Sequence, residues 1–145
     1  MTACEIDLSL SPILRSPQDR PIAWLPGERL HTLFDQRCAA LGRRARRHLA
    51  VDYGGIGITY ADLQTRSHQL AHHLSQRPDG AVRPGTRVAM LTGRTVDSYA
   101  AVLALSRLGA SYVPLDASFP IDRLHFLIAD SDAVQVLTLQ QHAHL

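Results

Sequence analysis

Apolar residues along this chain change period several times, and each change marks an element. Leu30, Leu33, Phe34, Cys38 and Leu41 recur at helical spacing, which predicts a helix with one apolar face, stopped at Gly42. Two β-prone runs, LAVDY and IGIT, then flank the dipeptide Gly54-Gly55. That is the signal of a tight hairpin. Thr59 follows, with Asp62 three positions on. The pair resembles a capping box, with Asp in place of the usual Glu or Gln, and opens a helix running to about Gln76. Its inner face holds Tyr60, Leu63, Ser67, Leu70, Ala71 and Leu74. Pro84-Gly85 suits a type II turn, and the run RVAML after it is the pattern of a strand buried on both faces. Thr95 can cap a helix that reaches Leu108 and ends at Gly109. Val96, Tyr99, Ala100, Val102, Leu103, Leu105 and Leu108 surround that helix almost completely, so it is expected to be covered on more than one side.

The strand SYVPL comes next. A helix follows from about Pro120 to Ala129, with Ile121, Leu124, Leu127 and Ile128 inward, and then a last strand, AVQVLT. Strand, helix, strand, helix, strand from Val88 onward is the signature of parallel βαβ units with right-handed crossovers. The fold class is therefore α/β: parallel βαβ layers behind an amino-terminal β-hairpin. Residues 1–28 carry irregularly spaced prolines and little periodicity, and read as an extended lead-in to a domain over residues 29–145. Nothing after AVQVLT supplies a second edge or a cover for the sheet. The layers are expected to be the incomplete amino-terminal part of a larger fold.

Two prolines mark the corner after SYVPL. Pro114 cannot donate a ladder hydrogen bond, which points to an edge, a bulge or the end of pairing. Pro120 suits the first helical turn, where a missing N–H costs little. Asp116 and Ser118 can hydrogen-bond the turn between them. Asp122 sits where a helix dipole favours a carboxylate.

Composition narrows the chemistry. The chain has 145 residues, enough for one domain with a core, and a net charge of +2, too small to argue for nucleic acid. No segment has the apolar length of a membrane span, and the first residues lack the basic start and apolar centre of a secretory signal. A cytoplasmic protein is the expectation. Cys4 and Cys38 fit no metal or redox spacing, so no disulfide framework is expected. All fifteen basic residues are arginine. A Schiff-base lysine and a phosphate-loop lysine are thereby excluded from this chain.

Four groups of residues raise a chemical question. Thr92, Gly93, Arg94 and Thr95 lie between a strand and a helix start, where backbone N–H groups and an arginine can bind an anion, as a cofactor phosphate would require. Their glycine pattern is too sparse for a phosphate loop, and an ordinary loop capped by Thr95 outweighs that reading. Asp116 lies beyond a strand's carboxyl end, where ligands often meet a sheet, but turn formation outweighs that reading. His68, His72 and His73 share a helix but not the inner face, and have no third ligand; a solvated surface outweighs a metal site, as it does for His142 and His144. GRRARRH, residues 42–48, is a compact positive cluster. Without interleaved aromatic residues it reads as a solvated connection rather than a nucleic-acid contact. No catalytic and no metal-binding residue is assigned.

The corner resembles the second core motif of the adenylation domains of nonribosomal peptide synthetases, within the AMP-dependent, adenylate-forming synthetases and ligases. Leu105, Gly109, Ala110, Tyr112, Val113, Pro114, Leu115, Asp116, Pro120 and Arg123 match that motif. Arg107 stands for its lysine, Leu108 for alanine, Ala117 for proline, Phe119 for tyrosine and Asp122 for glutamate. Upstream, ITYADL with Leu70-Ala71 resembles the first core motif, LPGERLHTLFDQ the lead-in, and AVRPGTRVAML the strand between the motifs. The resemblance covers residues from about 25 to 138. It implies a parent enzyme that uses ATP and magnesium to make an aminoacyl adenylate. That enzyme would then pass the acyl group to a phosphopantetheine thiol on a carrier domain. It also implies that this chain alone lacks the machinery, because the family's proline-lysine-glycine phosphate loop and its late catalytic lysine both need a residue type the chain does not contain. The expected partners are the remainder of the adenylation domain and a carrier domain, with no nucleic acid and no membrane. Met1 lies so close before the resemblance that no condensation domain is expected upstream. The matching part of an acyl- or aryl-coenzyme A ligase, and a non-catalytic interaction module, remain as alternatives.

Overall fold

The computed structural model describes residues 27–78 and 80–139. The lead-in up to residue 26, Cys4, and the tail histidines His142 and His144 lie outside the described residues. In chain order come helix α1 (Leu30–Leu41), a 3-10 turn (Gly42–Arg46), strands β1 (Leu49–Tyr53) and β2 (Ile56–Thr59), and helix α2 (Tyr60–Gln76). Strand β3 (Arg87–Leu91), helix α3 (Val96–Leu108), strand β4 (Ser111–Pro114), helix α4 (Ile121–Asp130) and strand β5 (Gln135–Thr138) complete the order.

β1 and β2 form an antiparallel hairpin, with a register shift between Leu49 and Val51. Its turn residues Gly54 and Gly55 have φ of 60° and 83°, the paired positive values a two-residue hairpin loop requires. The second sheet is parallel, in the order β4-β3-β5. Alternation along β3 sends Val88 and Met90 to one face and Ala89 and Leu91 to the other, and Val88 and Ala89 are both 0% exposed. Val88 and Met90 pack with Ala101 and Leu105 of α3, Leu74 of α2 and Val82. Ala89 and Leu91 pack with Leu115 and with Leu124 of α4. A third cluster joins Ala100 and Leu103 of α3 to Ile58 of the hairpin and Leu63 of α2. Helix α3 thus lies between sheet and hairpin, which is why its apolar residues cover so much of its circumference.

The caps follow the local sequence. Thr59 accepts the Asp62 N–H at 3.2 Å, and its hydroxyl donates to the Asp62 carboxylate at 2.7 Å. The short Asp side chain meets the hydroxyl instead of reaching back to the Thr59 N–H. Arg83 and Thr86 close the turn around Pro84-Gly85 with a 3.0 Å backbone bond. Gly109, at φ 68° and ψ 22°, ends α3 in the left-handed conformation.

Three expectations are corrected. Pro120 stands one residue outside α4, as its N-cap, and its carbonyl accepts the N–H groups of Arg123 and Leu124. Ile121 is 41% exposed and Leu30 is 49% exposed. Both are the first residue of their helix. Among the described residues no helix is long and apolar enough to cross a membrane.

A Cβ at Gly109 would lie 3.3 Å from the Pro84 Cβ and would have to hold positive φ. Gly109→Ala is expected to cost about 1–2 kcal/mol, read as a lower urea midpoint with an unchanged slope. An unchanged midpoint would show that the cap relaxes freely.

Candidate functional site

β3 and β4 run parallel, so the loops leaving their carboxyl ends meet at one end of the sheet, where open α/β sheets place ligands. Thr92 is buried beneath the first loop, and Gly93 takes a φ of 59°. Thr95 accepts the Ser98 N–H and Ser98 accepts the Thr95 N–H, each at 3.3 Å. This reciprocal box uses two donors at the start of α3. The second loop is built on Asp116, whose Oδ1 accepts the Ser118 N–H at 2.9 Å while its carbonyl accepts the Phe119 N–H at 3.0 Å. The Ser118 bond holds the Asp116 carboxyl below its ordinary range.

Thr92, Gly93 and Asp116 line one open groove of about 470 Å³, with Met90, Val102 and Tyr112 as its apolar wall. Arg94 and Thr95 are not part of that lining. The groove presents one carboxylate and no cation. Such a wall does not fit a triphosphate, and no chemical step is assigned to ATP here. His68, His72 and His73 are exposed on α2, and among the described residues no three His, Cys, Asp or Glu side chains gather to hold a metal ion. In the basic cluster, Ala45 is buried and pins the turn while Arg43, Arg44, Arg46 and Arg47 are exposed. Cys38 is a free thiol, buried, with its pKa pushed up by that burial.

The structure also assembles a polar cluster that the sequence did not signal. Arg107 on α3 has a side chain only 10% exposed, and its guanidinium holds both oxygens of Asp35 on α1, with Nη2 at 2.7 Å from Oδ1. Gln64 of α2 donates to the same Oδ1 at 2.8 Å, and Arg107 Nε donates to Ser67 at 3.3 Å. Ser67, wholly buried, donates on to the Gln64 carbonyl. One bidentate pair and two α2 side chains therefore tie three helices together. The Arg107 hydrogen bonds hold Asp35 at about 2, against the opposing effect of burial. His68 Nε2 lies 4.0 Å from Asp35, and His31 Nδ1 meets the Ser106 hydroxyl at 3.0 Å. Burial, with Arg107 nearby, lowers the His31 pKa.

The model of the family described as "AMP-binding enzyme" matches residues 37–145. The chain belongs to the AMP-binding enzyme family. A linear gramicidin synthase of Brevibacillus parabrevis is 36% identical over 112 residues, covering 77% of this chain and 1% of that protein. A plipastatin synthase of Bacillus subtilis (strain 168) is 43% identical over 88 residues, 61% of this chain and 3% of that protein. The Klebsiella oxytoca NpsA N-terminal subdomain, solved in complex with 3-hydroxyanthranilyl-AMSN, superposes with a TM-score of 0.65 at 22% identity, over 77% of this chain and 27% of that one. At that identity the likeness is one of fold. This chain thus spans a few hundredths of the curated relatives' length and corresponds to the amino-terminal part of a peptide-synthetase adenylation domain.

In this member of the AMP-binding enzyme family the motif residues have structural duties. Leu105 fills the core, Gly109 caps α3, Asp116 closes the turn, Pro120 caps α4 and Arg123 lies 5.4 Å over the Phe126 ring. Arg107 stands at the motif's lysine position and makes the bidentate clamp, a geometry an ammonium cannot reproduce.

Asp35 has a folded pKa below its ordinary value, so its contribution is fully present above about pH 4 and fades as pH falls toward about 2. Discounted for partial exposure, that contribution is about 1 kcal/mol. Asp35→Asn is expected to lose about this much stability at pH 6 and to differ little from the parent chain near pH 2, in denaturation curves across that range. A difference that does not shrink with falling pH would remove the ionic account.

Proposed function

We propose that these residues are the scaffold portion of an enzyme that activates an amino acid with ATP and magnesium to an aminoacyl adenylate. The parent then transfers the acyl group to a phosphopantetheine thiol on a carrier domain. The remainder of the adenylation domain and that carrier are its partners. The observation that carries this reading is the family match over residues 37–145, laid on a corner whose matched residues are caps, turns and core.

The chain's own part is mechanical. Strand β3 is held dry on both faces, Pro114 and Pro120 stiffen the corner, and Asp116 fixes the turn between them. The chain contains no lysine, so it cannot supply the family's lysine-bearing phosphate loop. We therefore assign no adenylation activity to the 145-residue chain alone.

Amino-acid-dependent exchange of labelled pyrophosphate into ATP tests both halves. The purified chain is expected to give the blank rate with every amino acid. A longer product of the same reading frame, carrying a Ser/Thr/Gly-rich loop and a late lysine, is expected to give exchange with a restricted set of amino acids. Exchange by the short chain would defeat the scaffold assignment. A frame that has the loop but no carrier-domain serine would favour the acyl- or aryl-coenzyme A ligase.

A further inference from the structure

Helix α1 is held by less apolar contact than the helix it sits on. Of its twelve residues only Cys38 is buried, while α3 buries five. Phe34 adds a stacked contact with Tyr60, the ring centroids 5.6 Å apart. The rest of the seat is polar. Asp35 enters the clamp with Arg107 and Gln64, and one turn earlier His31 meets the Ser106 hydroxyl. Segments with few buried apolar contacts open at a lower free energy than the core. The charge state of two α1 side chains therefore weighs heavily on whether the helix stays docked.

The groups that face His31 leave it no unshared anion. Asp35 lies one turn on along α1, but Arg107 takes both its carboxylate oxygens and Gln64 donates to one of them. Arg107 comes from α3, next to Ser106, with its side chain 10% exposed. Arg29 stands at the amino end of α1, and His68 of α2 has its Nε2 4.0 Å from Asp35. A neutral His31 ring can accept the Ser106 O–H at Nδ1. A charged ring has no lone pair there, and it sets a second cation beside the guanidinium against a single carboxylate. Burial, then Arg107, disfavours the charged ring, and Asp35 offsets this only in part. The His31 contribution to docking is therefore whole above about pH 6.5 and is lost as pH falls below that. A charged His68 acts on Asp35 in the opposite sense, since it attracts that carboxylate across the α1–α2 contact.

We propose that α1 is a proton-released clasp: charging His31 lifts it from α3 while the sheet and the helices that cover it stay folded. Every group that works the clasp lies within α1, α2 and α3 or at the α1 N-cap, so it needs no uncovered surface. Release frees the Cys38 thiol, which is 5% exposed in the docked helix with Sγ 3.7 Å from the Tyr60 carbonyl. This inference is independent of the ligase reading.

Cys4→Ser leaves Cys38 as the only thiol of the full chain. Its rate of reaction with 4,4′-dithiodipyridine, divided by that of free cysteine at the same pH, measures how often α1 is open. That ratio is expected to lie well below one at about pH 7.5 and to rise about threefold by about pH 5, with unchanged far-ultraviolet circular dichroism. His31→Gln keeps a polar side chain toward Ser106 but cannot take a proton, and is expected to abolish the rise. His68→Gln is expected to keep it. A ratio near one at about pH 7.5 overturns the proposal, because α1 would not be docked. So does a ratio that fails to rise, a rise that survives His31→Gln, or a rise that vanishes with His68→Gln. A rise that goes with loss of circular dichroism also overturns it, because the whole chain would be unfolding. The ring-proton resonances of His31 in the unsubstituted chain give a second reading. Their titration midpoint is expected below that of a histidine peptide, and a midpoint at or above it overturns the proposal.

Discussion

Everything in this domain is arranged around one strand that tolerates no water on either face. Four consecutive residues of β3, Val88 to Leu91, are buried, and a pleated strand sends alternate side chains to opposite sides. Keeping both faces dry needs a layer above and a layer below. Helix α3 supplies one and α4 the other, and parallel neighbours on both edges then require crossovers of one hand. The hairpin and α2 come in as a further layer, needed because α3 is apolar on the side away from the sheet as well. The corner with two prolines is the consequence of returning from β4 to the opposite face within a few residues.

The second constraint is polar. Asp35 and Arg107 are separated by 72 positions, yet they form the bidentate contact that locks α1 and α2 onto α3. With its side chain 10% exposed, the Arg107 guanidinium would be costly to leave unpaired. Asp35 and Ser67 accept its N–H groups, and Gln64 donates to the same carboxylate, so the contact fixes where α1 and α2 meet α3. The arginine at a position where the related motif has lysine fits this duty, because a planar fork can engage both carboxylate oxygens and a hydroxyl at once.

The same economy explains why the candidate groove has so little chemistry. The loops at the carboxyl ends of β3 and β4 satisfy their own backbone groups, through the Thr95–Ser98 box and the Asp116 turn. What remains exposed beside them is apolar wall and one carboxylate. That is the character of a supporting face.

Local chemistry made much of this legible from the residues alone. LAVDY, IGIT and RVAML are the strands they were read to be, the Gly54-Gly55 and Pro84-Gly85 turns have the required positive φ, and Thr95 and Gly109 bound α3. Each of these depends on interactions within a few residues, so the sequence by itself determines them. The absence of lysine, and with it of a phosphate-loop lysine, is equally a property of the chain alone. The tertiary structure decided which ends of the apolar stripes stay wet, leaving Leu30 and Ile121 out, and which of the described strands lies at the centre of the sheet. It alone brought Asp35 to Arg107. Contacts between residues far apart in the chain leave no periodic trace, because they are set by where packed layers place two side chains and not by the spacing between them.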